Sequence, residues 1–110
     1  MVSDLSASKD KLKVGLNKAS AEGNRLASAE LNAKLSQVVY LQGELDVALN
    51  YAIDAINLFE ELDMPVRVGG MYCSVGYSLK RRDMGQANEY MLKGISILKN
   101  QADTAQLEAG

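Results

Sequence analysis

The residues best suited to chemistry gather in one stretch, "PVRVGGMYCSVGYSLKRRD" at positions 65–83. It holds three glycines, the only cysteine and the basic run Lys80-Arg81-Arg82. A phosphate-binding loop needs a strand, spaced glycines and a Lys-Ser/Thr pair opening a helix, so that backbone N–H groups converge on the anion. Gly69-Gly70 and Gly76 have neither that spacing nor the Lys-Ser/Thr. Close helix packing explains them better, with Gly69-Gly70 easing entry into the helix. A nucleophilic Cys73 needs a base to form thiolate, and the chain contains no histidine. A small buried or half-buried thiol is the expectation. One cysteine without histidine also cannot supply a structural zinc site, and no cofactor is expected. Glu60 and Glu61 are adjacent on a helix end and point in different directions, so they form no acid–base pair. Lys80-Arg81-Arg82 closes a helix, where positive charge is favoured by the free carbonyls.

Composition points the same way. With 110 residues the chain is read as a single domain with one modest core. Tryptophan is absent and aromatics make up 5%, so aliphatic side chains, alanine and methionine fill that core. Abundant Ala, Leu, Glu, Lys and Gln favour helix over strand. Met64, Met71, Met84 and Met91 are read as core filling, with an adaptable groove as the alternative. The net charge of −2 gives no reason to expect nucleic acid or an anionic membrane as partner. Residues 31–64 nonetheless carry a local balance of −5, read as a solvated acidic face. A lone cysteine forms no internal disulfide, no signal peptide is expected from the opening residues, and no apolar run reaches the roughly 18 residues of a membrane span. A cytoplasmic location is the expectation.

Helical periodicity positions these residues. In "ELDVALNYAIDAINLFEEL" one apolar stripe runs Leu45, Ala48, Ala52, Ala55, Phe59, Leu62, and a second runs Leu49, Ile53, Ile56. Two apolar faces predict a helix sandwiched between neighbours. Gly43 suits the left-handed close of the preceding helix. Asp63 is placed to cap the next one, with Pro65 in its first turn. Asp83 and Gln86 have the spacing of a capping box. Five helices are predicted near 4–21, 25–42, 44–62, 65–81 and 84–100, with a frayed tail over 101–110. Their short connections make consecutive helices antiparallel.

The chain also repeats itself. Shifted by 39 residues, "GELDVALNYAIDAINL" falls on "RDMGQANEYMLKGISI", so that Ala48 meets Ala87, Tyr51 meets Tyr90 and Ala55 meets Gly94. Each block follows another helix, ending "VVYLQ" or "VGYSLKR", and the repeating unit is a helix hairpin. After a helix in 4–24, repeat 1 covers 25–64 and repeat 2 covers 65–100. Small residues at 48, 55, 87 and 94 let helices approach closely.

Gly43, Glu44, Leu45, Ala48, Tyr51 and Ala55, and in the second copy Asp83, Met84, Ala87, Tyr90 and Gly94, form a pattern that resembles the tetratricopeptide repeat. Arg82 stands where that family prefers glycine. Val75-Gly76 resembles its Leu-Gly pair one residue nearer the turn than usual, with Leu35-Ser36 as the weaker counterpart. The period of 39 exceeds the family's usual 34. The resemblance implies an all-α fold of antiparallel helix hairpins stacked as a short right-handed solenoid. It also implies a non-catalytic module that binds a partner protein or peptide. Its inner face, built from the first helix of each hairpin, would carry Gln37 and Tyr40, then Tyr77, Lys80 and Arg81. Ala33, Gln37 and Gly76 or Tyr77 stand where family members that clamp a C-terminal carboxylate use Lys, Asn and Arg, so that activity is not expected. Two repeats are few for a solenoid. Homodimerisation, or membership of a longer array, is the alternative reading.

Overall fold

The computed structural model describes the backbone of residues 2–109 and the side chains of residues 4–107. It is all-α, with five helices and no strand among the described residues: α1 (Val2–Ala21), α2 (Arg25–Leu41), α3 (Leu45–Glu61), α4 (Pro65–Leu79) and α5 (Met84–Ala109). The chain divides into two compact units, Met1–Leu62 and Asp63–Gly110. In the first, α2 packs on both α1 and α3. In the second, α4 packs on α5.

Local chemistry explains where the helices stop. Gly23 and Gly43 both take positive φ, 69° and 84°. After α2, Gly43 N–H donates to the Tyr40 carbonyl at 2.9 Å and Glu44 N–H to the Val39 carbonyl at 3.1 Å. Those two bonds satisfy carbonyls that the helix itself leaves free. Asp63 departs from the sequence expectation. It does not cap α4; it occupies the left-handed position after α3, with φ 55°. Aspartate tolerates that region better than most residues because its short side chain bonds locally. The N-cap of α4 is Met64, which makes no side-chain cap bond, and Pro65 follows in the first turn as expected.

The start of α5 follows the sequence more closely. Gln86 N–H donates to Asp83 Oδ1 at 3.0 Å, one half of the capping box. Asp83→Ala is expected to cost about 1 kcal/mol, read as a lowered urea midpoint with an unchanged slope. Arg82 does not need glycine's freedom. The α4–α5 turn closes with Arg82 N–H and Asp83 N–H both donating to the Leu79 carbonyl, at 3.0 and 2.9 Å, and with no positive φ. The C-terminal segment is a correction. The tail expected to fray continues α5, which runs 26 residues to Ala109.

The first unit buries Ala29, Leu35 and Val39 from α2 with Ala48, Ala52, Ala55, Ile56 and Phe59 from α3. Arg25 at the start of α2 lies 3.9 Å from Glu61 at the end of α3, which shows the two helices to be antiparallel. Both partners are more than half exposed, so the pair adds well under about 1 kcal/mol. Lys9 of α1 reaches Glu44, just ahead of α3, at 3.8 Å.

In the second unit glycine sets the helix separation. A Cβ on Gly69 would lie 3.1 Å from the Gly94 carbonyl oxygen and 2.9 Å from Leu98 Cγ. One on Gly76 would meet the Met91 side chain and, at 2.8 Å, the Ala87 oxygen. These contacts join the start of α4 to the middle of α5 and the end of α4 to its beginning, an antiparallel hairpin. The two neighbouring glycines differ in role. Gly69 is buried in this contact, whereas Gly70 is exposed with nothing within 4 Å. Both lie inside α4, so neither serves an entry turn.

Candidate interaction surface

The first helix of each hairpin buries one face and leaves the other to solvent. On α2 the buried positions are Ser28, Ala29, Asn32, Leu35 and Val39. On α4 they are Val68, Gly69, Val75, Gly76 and Leu79. Ser28, Ala29, Leu35 and Val39 map onto Val68, Gly69, Val75 and Leu79 at a shift of 40 residues, one more than the shift relating α3 to α5. The cause is visible in the elements. Helix α4 has 15 residues against 17 in α2, and four residues rather than three lead from α4 into α5. Val75-Gly76 therefore sits nearer its turn than Leu35-Ser36 by one position, without any change in the face it presents.

At that register Gln37 corresponds to Tyr77 and Tyr40 to Lys80. All four are exposed, Tyr40 at 36% and Tyr77 at 64%. Gln37 and Tyr40 lie three apart on α2 and so share a face. Tyr77 and Lys80 repeat the arrangement at the end of α4, where Lys80 is the C-cap with helical φ and ψ. Arg81 differs. It is exposed but lies past the end of α4, in the turn, where no helix face aims its side chain.

Cys73 packs between α4 and α5. Its half-buried Sγ lies 4.0 Å from the Met91 carbonyl oxygen, and a Cβ on Gly94 would come within 2.6 Å of it. The thiol fills the space that glycine leaves between two helices. Among the described residues no three His, Cys, Asp or Glu side chains cluster as a metal ion would need, and no helix is long and apolar enough to cross a membrane.

One polar cluster escaped sequence reasoning. The rings of Tyr72 and Tyr90 stack with centroids 6.1 Å apart and planes 24° from parallel. Lys93 Nζ stands 4.6 Å above the Tyr72 ring. Beside them Gln86, Glu89, Tyr90 and Lys93 line an open depression of about 230 Å³. The repeat drew attention to Tyr90 through Tyr51, but not to Tyr72, which stands at the place of the buried Asn32. Cation–π and ring contacts of this kind contribute about 0.5–1 kcal/mol each at exposed sites. Here they tie α4 to α5.

No family model, curated protein or solved structure matches the chain.

Proposed function

We propose that the chain is a non-catalytic protein–protein interaction module, a tetratricopeptide-like stack of helix hairpins forming a short right-handed solenoid in a cytoplasmic setting. Its partner is a protein or peptide held through the open face of each hairpin's first helix. The observation that carries this reading is the equivalence of the exposed positions. Gln37 with Tyr77, and Tyr40 with Lys80, stand at the same register in two hairpins, each just outside a buried row. Exposed tyrosines suit such a role, since they offer apolar contact area and a hydroxyl at low entropic cost.

The test is affinity capture from the native cell extract, comparing the wild-type chain with Tyr40→Ala and with Tyr77→Ala/Lys80→Ala. These side chains lie outside the core, so helical circular dichroism should not change. Capture of the same protein should fall at least about tenfold in the double variant, the effect of losing roughly 1.4 kcal/mol. Equal capture by all three chains would refute the assignment. Self-association, the alternative, is favoured by a separate feature of α5.

A further inference from the structure

We propose that α5 is a homodimerisation helix, which pairs antiparallel with α5 of a second copy about a two-fold axis near Gly94. This uses a different helix from the partner-binding reading and stands or falls apart from it. The internal repeat supplies the first observation. Ile56 and Ile95 occupy the same repeat position, yet Ile56 is 4% exposed and Ile95 is 52% exposed. One turn back, Leu92 is 67% exposed. The position that is sealed on α3 is thus open on α5, beside the still more exposed Leu92.

Helix length supplies the second observation. Gly69 of α4, a helix about 22 Å long, faces Leu98 of α5, and only the single turn 65–68 of α4 lies beyond that contact. Helix α5, about 39 Å long, continues to Ala109, and its residues 102–107 are all exposed. A polar continuation of this length adds little by itself, because short helical stretches are marginal in water without packing.

Charge selects the occupant and its direction. Glu89, Leu92, Ser96 and Lys99 recur at three- and four-residue spacing and share a face with Ile95 on its flank. Glu89 and Lys99 stand equally far from position 94, one on each side. Antiparallel pairing about that point sets Glu89 of each copy against Lys99 of the other, with Leu92 of each copy opposite Ser96 and beside Ile95 of the other, between the two ion pairs. Parallel pairing would oppose like charges at both ends. A patch complementary to itself under a two-fold rotation closes into a dimer without propagating further. A single helix pair lies at the low end of specific interfaces, so the dimer should dissociate in the micromolar range.

Sedimentation velocity over a concentration series on the full chain tests this. The wild type should pass from monomer to dimer, and Leu92→Glu/Ile95→Glu should be monomeric up to about 1 mM, where affinity falls to the weakest measurable range. Glu89→Lys and Lys99→Glu should each weaken the dimer about tenfold, and the double exchange should restore it, because only antiparallel pairing re-forms both opposed pairs. All these side chains are exposed, so unchanged helical circular dichroism at low concentration verifies the fold. A wild-type chain that is monomeric throughout overturns the proposal and leaves the face to a different occupant. So does a dimer indifferent to Leu92→Glu/Ile95→Glu. A dimer that those changes abolish, but that the double charge exchange does not restore, overturns the antiparallel pairing.

Discussion

Gly94→Ala is expected to lower the stability of the protein by about 2–3 kcal/mol, although alanine is what the first hairpin carries at this place. Ala55 is fully buried there without conflict. Read from the repeat alone, the exchange looks neutral or better, since alanine in a helix interior gains about 1 kcal/mol over glycine. The second hairpin is closer. A Cβ at position 94 would lie 2.6 Å from the Gly69 carbonyl oxygen, 2.9 Å from the Cys73 amide nitrogen and 2.6 Å from Cys73 Sγ. The sulfur could swing aside, but two of the three atoms are backbone, so the helices themselves must separate. That movement strips contact from a densely packed row, and the loss exceeds the propensity gain. The thermal midpoint should fall by about 10 °C or more for a chain of this size. Gly70→Ala is the matched control. It lies in the same helical setting with nothing within 4 Å, and should raise stability by about 0.5–1 kcal/mol. A Gly94→Ala protein that melts at or above the wild type would show that α4 and α5 do not approach as described.

Phe59→Ala should be the most damaging single truncation in the first unit, costing about 3–5 kcal/mol. Phe59 is the only phenylalanine, is completely buried, and is the largest of the fully buried side chains, ahead of Leu35 and Val39. Among the described residues, much of the first unit's buried apolar core is alanine, at 19, 29, 48, 52 and 55. Alanines have no rotamers with which to collapse into a void, so the cavity should persist and add its own cost to the lost transfer energy. Phe59→Leu retains most of the volume and should cost less than about 1.5 kcal/mol. Urea unfolding monitored by circular dichroism would separate the two variants. Similar midpoints for both would mean that the site relaxes, and that Phe59 does not organise the core as its burial implies.

The sequence made the helices legible because their signals are local. Gly43 and Pro65 mark ends through backbone φ, and Asp83 marks one through a side chain that reaches its own neighbours. Asp63 is ambiguous in sequence because aspartate suits both a helix N-cap and the left-handed position after a helix. The choice depends on which of two adjoining helices claims it. The full extent of α5 is not legible in sequence because "QADTAQLEAG" has polar helix formers without an apolar stripe, and periodicity detects only the stripe. Gln37, Tyr40, Tyr77 and Lys80 of the candidate surface stand at exposed positions that are equivalent between the two hairpins. Arg81 lies outside α4, which ends two residues before it.

What the sequence determined by itself was the helical class, the hairpin repeat and the absence of histidine chemistry, since each depends on residue type and spacing along one chain. Tertiary structure alone decided which glycine is tight and which is idle, that Tyr72 meets Tyr90, and that Ile95 stays open where Ile56 is sealed. The reason is geometric. Propensity and periodicity belong to a helix taken singly, whereas distances between backbones and the covering of a face belong to pairs of helices, and no single helix encodes its neighbour's distance.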